Sequence, residues 1–113
     1  MAQRDYVDLL GQSGRSYRYW VGRMGESITA SAGNYGFAKQ LPTGSFAILY
    51  LGETEDFSDR FDRHERWLEA VMLGATHVLA HTTPGGEQAR CAEEGDLIQR
   101  WQPPMNVQHR TFG

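Results

Sequence analysis

The stretch FAILYLGETEDFSDRFDRHERWLEAVMLGATHVLAHT, residues 46–82, decides the fold class. It opens on FAILYL (46–51), a continuous apolar run rich in aromatic and branched side chains, which reads as a buried central strand. The period then changes. Between residues 54 and 73, Phe57, Phe61, His64, Leu68 and Met72 follow the i, i+4, i+7, i+11, i+15 spacing of one helical stripe. Thr54 or Asp56 can cap the start of that helix, and Gly74 stands where a left-handed C-terminal residue belongs. THVLAHT (76–82) is again a strand, with Val78 and Ala80 on one face and His77, Leu79 and His81 on the other.

Working outward, a second helix begins after this strand. Thr83 takes the N-cap position and Pro84 the first turn, and Pro103 and Pro104 stop the helix after about Trp101. Upstream, GNYGFAK (33–39) is a short strand and QLPTGS (40–45) a turn. SYRYWVG (16–22) is a strand with Tyr17, Tyr19 and Val21 on one face and Arg18, Trp20 and Gly22 on the other. Residues 1–15 read as an N-terminal arm or short first element, ahead of one domain over 16–113. The order of elements predicts an α+β fold, a small, mostly antiparallel sheet of three to four strands flanked by helices.

Composition bounds the function. The 113 residues suit one domain, and 40% hydrophobic with 22% charged is an ordinary globular balance. Cys91 is the single cysteine, so no internal disulfide can form. No apolar run approaches the ~18 residues of a membrane span, and the first residues lack a signal-peptide core. The expected compartment is a reducing cytoplasm. A formal charge of −3 excludes a strongly basic nucleic-acid binder and leaves any phosphate contact to a local patch.

Two helices carry polar groups on apolar stripes. On a helical wheel, Arg90, Cys91, Leu97, Ile98 and Trp101 fall within roughly 60° of one direction, with Glu94 at the centre and Glu93 on the flank. A carboxylate there is costly unless it is paired or binds a cation. Either it pairs with Arg90 at i, i+4, or it is functional. His64 poses the same choice between a satisfied boundary histidine and a working one. RFDRHER (60–66) is a mixed-charge run of the kind that makes a solvated face, with Arg60 alone placed to reach over the sheet edge. A rival metal set of His77, His81 and Cys91 is disfavoured, because the two histidines are roughly 13 Å apart along a strand.

Several of these segments together resemble a GIY-YIG nuclease-superfamily domain. Gly33-Asn34-Tyr35 is similar to the first motif and Tyr50-Leu51-Gly52 to the second, with leucine for the usual isoleucine. Arg60 stands eight residues after Gly52, where the superfamily has an arginine, and His64 follows one helical turn later. EGDLI (94–98) followed by PPMN (103–106) resembles the glutamate, leucine-isoleucine pair and P-x-x-N ending of the excision-repair members. The resemblance covers residues 33–106. Between Tyr35 and Tyr50 lie 14 residues, a longer hairpin than is common, and Glu53 stands where repair members often carry lysine.

The resemblance implies a metal-dependent endonuclease that hydrolyses DNA phosphodiester bonds. It implies Glu94 as ligand of a single Mg²⁺ or Mn²⁺, which keeps much of its hydration shell. It implies Arg60 on the scissile phosphate, Tyr35 or Tyr50 orienting or deprotonating water, and His64 sharing that duty. Gly52 would let the chain pass close to the site, and Asn106 would be a hydrogen-bonding strut. The alternative is an interaction module that keeps the fold without efficient catalysis. The expected partners are DNA through a weak local patch and a protein for targeting. Trp20, Trp67 and Trp101 are many for so small a core, so either a monomer or a homodimer is expected.

Overall fold

The computed structural model describes residues 5–26, 31–57 and 66–106. It is a small α+β domain built on a curled antiparallel sheet of five strands. The strands are β1 (Asp5–Leu10), β2 (Ser16–Arg23), β3 (Gly33–Gln40), β4 (Phe46–Thr54) and β5 (His77–Thr82). Helix α1 (Trp67–Met72) precedes β5, and α2 (Gly86–Trp101) follows it. The spatial order is β1-β2-β5-β3-β4, so the sheet is wider than the three to four strands expected. The extra strand comes from residues 5–10, whose period is clear only once they lie on β2: Val7 and Leu9 face α2, while Tyr6, Asp8 and Leu10 face outward.

The apolar run at 46–51 is not a central strand. β4 forms one edge of the sheet, and β5 is the middle strand. The run is continuous because both faces of β4 are covered. Ile48 and Leu51 pack on the α2 side, and Leu49 and Tyr50 on the α1 side. A bulge makes this possible: Phe37 pairs with Tyr50 and Ala38 with Ile48, leaving Leu49 extra. The outer edge of β4 is closed by a side chain. Asn106 accepts from the Leu51 N–H and donates to the Leu51 carbonyl, each at 2.8 Å.

The two helices lie on opposite faces. Leu97 of α2 joins Leu9, Tyr17, Tyr19, Val21, Ile48, Leu51 and Leu79 in one core layer. Ala70 of α1 joins Tyr35, Phe37, Phe57, Val78 and Met105 in the other. Two expectations for the helices need correction. Thr54 ends β4 and its hydroxyl accepts from the Asp56 amide, while the first part of the helix expected after it lies outside the described residues. Within α1 the buried residue is Ala70, whereas Leu68 and Met72 of the expected stripe are exposed. The start of α2 is Gly85 in the left-handed region, not Thr83, whose hydroxyl is used inside the core. The C-terminal signal at Gly74 holds: φ is +96°, Gly74 N–H bonds to the Val71 carbonyl and Ala75 N–H to the Ala70 carbonyl, the paired bonds of a Schellman ending.

Candidate functional site

Tyr35 and Tyr50 project from the paired strands β3 and β4 onto the α1 face, with ring centroids 6.0 Å apart and their hydroxyls hydrogen bonded to one another. Gly52 makes room for them. A Cβ on Gly52 would lie 2.9 Å from both Cζ and the hydroxyl oxygen of Tyr35. Asn106 holds the backbone of Leu51, the residue between Tyr50 and Gly52, through both ends of its side-chain amide. Arg60 and His64 lie outside the described residues.

Glu94 stands on α2, across the sheet from the α1 face. It is half-buried, and its charge is felt by both phenols. The pairing of Arg90 with Glu94 that would have made this carboxylate structural is not formed. Arg90 turns to the edge strand instead, where its Nε donates to Glu53 at 2.8 Å. Among the described residues Glu94 has no ion-pair partner. Burial, and then the neighbouring charge of Glu53, push its carboxyl above the ordinary carboxylate range.

The phenols are tuned unequally. Burial raises Tyr35 most, and Tyr50, Glu94 and Glu53 add to the rise. Burial also raises Tyr50, but the Tyr35 hydroxyl and the Arg66 guanidinium, which hydrogen bonds to it, pull it back. The mixed-charge run at 60–66 predicts a solvated face for Arg66. Its place beside Tyr50 depends on how α1 lies over β4, which no local charge pattern encodes.

The helical phase read from the wheel needs correction as well. The buried residues of α2 are Arg90, Glu93 and Leu97, so the buried direction is turned roughly 60° from the expected one. Cys91 and Trp101, apolar by type and on the Glu94 side of the helix, are exposed. Glu93 is the carboxylate inside the core. It accepts from the Tyr19 hydroxyl at 2.6 Å and the Thr83 hydroxyl at 3.1 Å, and lies 2.8 Å from Nδ1 of His81. Thr83 is also 2.8 Å from the Asn34 side-chain carbonyl, and the Asn34 amide donates to the Arg90 carbonyl. This network seats α2 on the sheet and leaves the next residue, Glu94, at its edge. A strand pattern placing Tyr19 and His81 on the α2 face was the available clue to it.

The rival set of His77, His81 and Cys91 is dispersed. His77 engages the Thr76 hydroxyl, His81 engages Glu93, and Cys91 lies beside Glu53 and Glu87. The ligand atoms of Glu53, Glu87 and Cys91 fall within 4.8 Å of one another. Glu53 is committed to Arg90, and a thiol is a poor donor for a hard divalent ion. Glu94, a half-buried carboxylate with no ion-pair partner among the described residues, offers hard oxygen donors and fits Mg²⁺ or Mn²⁺ better.

No helix among the described residues is long and apolar enough to cross a membrane. No protein-family model, curated protein or solved structure matches this chain.

Proposed function

We propose that the protein is a GIY-YIG-type phosphodiesterase that cleaves DNA with a single divalent cation. The observation that carries this reading is the half-buried Glu94, without an ion-pair partner among the described residues, whose charge acts on the mutually hydrogen-bonded phenols of Tyr35 and Tyr50. The chain path is in keeping with it. The GNY segment lies in β3, the YLG segment in β4, and β3 runs between β4 and β5 with α1 and α2 on opposite faces.

In this reading Glu94 holds the cation, which supplies Lewis-acid stabilisation of the phosphoryl oxygens when bound. Tyr50 is the more readily deprotonated phenol, because Tyr35 and Arg66 oppose the upward push of burial, and it would accept a proton from water only as the phenolate, having first given its own proton to solvent. Tyr35 orients Tyr50 through its hydroxyl. Arg60, expected from the resemblance, and Arg66, beside Tyr50, are the guanidiniums for a phosphate.

The test is incubation with branched, nicked and single-stranded DNA and either Mg²⁺ or Mn²⁺. Glu94→Ala is expected to lower cleavage by ~10²-fold or more. Cleavage that persists in that variant overturns the assignment. A second reading, a fold-retaining interaction module, is favoured by the rise of both phenols, which makes them poor bases when no cation is bound. Calorimetric Mn²⁺ binding that depends on Glu94 counts against it.

A further inference from the structure

The polar network under α2 leaves one reactive nitrogen outside it. The side chain of Glu93 is 4% exposed, and its Oε2 lies 2.8 Å from Nδ1 of His81, whose side chain is 29% exposed. An ionised carboxylate has no hydrogen to give, so Nδ1 donates and the lone pair of the neutral ring sits on Nε2. Among the described residues every buried side-chain nitrogen or oxygen has a hydrogen-bond partner, and Nε2 has none, so Nε2 is open to solvent. Two other elements fix the ring on β5. Glu93 of α2 holds its inner edge, while Tyr19 and Tyr17 of β2 pack on it with centroids 5.4 and 6.3 Å away. A buried carboxylate that orients an imidazole and leaves its far nitrogen free is the arrangement of a working histidine.

We infer that His81 is a nucleophile that takes the acyl group of a neutral activated ester at Nε2, with Glu93 as its positioning residue. A metal role fits less well, because among the described residues His81 belongs to no cluster of three metal-ligating groups. Charge selects the electrophile. The groups around the ring are Glu93, the phenols of Tyr19 and Tyr17 and, through the Tyr17 hydroxyl, Asp96, with Arg15 also acting on that hydroxyl. Two carboxylates against one guanidinium disfavour a phosphoryl dianion and admit an uncharged carbonyl. In the step, the Nε2 lone pair forms a bond to the carbonyl carbon. The ester C–O bond breaks, and its electron pair leaves on the alcohol or phenol oxygen, which solvent protonates. The Nδ1–H stays on Glu93, which offsets the positive charge of the acylated ring. Water then adds to the acyl carbon and gives a proton to solvent. The C–N bond breaks, its electrons return to Nε2, and a carboxylic acid is released. This chemistry uses the α2 face and needs no cation, so it is independent of the phosphodiesterase reading.

The experiment treats the protein in chelator at neutral pH with diethylpyrocarbonate, a neutral acyl donor, and follows each histidine by peptide mass spectrometry. His77 is the internal reference: it is half-buried like His81, but its Nδ1 engages the neutral Thr76 hydroxyl at 2.7 Å. In the wild type His81 is expected to react about tenfold faster than His77 or more. Glu93→Gln is expected to slow His81 about 10- to 100-fold and to leave His77 unchanged, which separates positioning from a loss of fold. Hydrolysis of p-nitrophenyl acetate is expected to fall to the buffer rate in His81→Gln and to persist in His77→Gln. Two of the readouts need no variant that could fail to fold. One is the rate ratio within the wild-type molecule. The other is the proton spectrum of the wild type, where the Nδ1–H held by a carboxylate gives a resonance far downfield of the amides. Reaction of His81 no faster than His77, absence of that resonance, or ester hydrolysis that survives His81→Gln overturns the inference.

Discussion

The role proposed for Glu94 sets function against folding. Its carboxyl is raised by burial and by Glu53, so its charged form is disfavoured in the folded protein. A carboxyl with a raised folded value binds more protons folded than unfolded between its two pKa values. Stability therefore falls as pH rises from the ordinary value of 4.5 through the raised one. At pH 7 the wild type carries that penalty and a glutamine does not. Glu94→Gln is expected to melt at or above the wild-type temperature at pH 7, with the gap closing in acid, while cleavage is lost. Calorimetric melting across this pH range checks it, and a lower melting temperature at neutral pH would show that Glu94 stabilises the fold. Gly52 makes the opposite case. Its missing side chain gives Tyr35 its place, and the 2.9 Å approach leaves no room for a methyl group. Gly52→Ala should cost about 1–3 kcal/mol by urea denaturation and displace the phenol pair.

At the scale of elements, the β1–β2 turn is tied to α2 through one carboxylate. Asp96 accepts from the Ser13 amide at 2.8 Å, the Ser13 hydroxyl at 2.7 Å and the Tyr17 hydroxyl at 2.8 Å. The Ser13 bonds lead in holding its pKa below the ordinary value of 3.8. A depressed carboxyl contributes stability above its unfolded value, and loses it as pH falls through the folded one. Acidification below about pH 4 should therefore loosen this turn from α2. Asp96→Asn should be less stable than wild type at pH 7, with the difference shrinking in acid. Amide exchange at residues 11–15 is the local readout. This docking, with the Trp101 indole donating to the Leu10 carbonyl at 3.0 Å, is why residues 5–10 make a strand. Nothing local to those residues announces it.

For the molecule as a whole, polar chemistry is divided between the two faces of one sheet. The α2 face holds the satisfied network of Glu93, Tyr19, His81 and Thr83, and the α1 face holds Tyr35, Tyr50 and Arg66. The charge of Glu94 is felt on both, by Tyr19 and by the two phenols. The sheet curls until β1 and β4 line one groove of about 380 Å³. Outside the core, α1 presents Leu68 and Met72 at 66% and 78% exposure. Their expected place on a buried stripe would make polar substitution severe. Exposed as they are, Leu68→Glu and Met72→Lys should each change the unfolding free energy by about 0.5 kcal/mol or less. Guanidinium denaturation checks this, and a loss of several kcal/mol would return these side chains to the core.

Strand period and turn chemistry were readable residue by residue. Alternation at 16–22 and 76–82, the left-handed glycine after α1 and the prolines after α2 act within a few positions, so they survive in the linear chain. The corner of Tyr35, Tyr50, Gly52 and Asn106 was legible only through motif order, since a tyrosine on a strand is also ordinary packing. Three matters were beyond local reading: that β4 is an edge, that α2 buries Glu93 and turns Glu94 outward, and that Arg90 chooses Glu53 over Glu94. Each is a competition among partners far apart in the chain. Burying a carboxylate is costly until several donors from other elements meet it, and those donors exist only once the sheet and helix have come together.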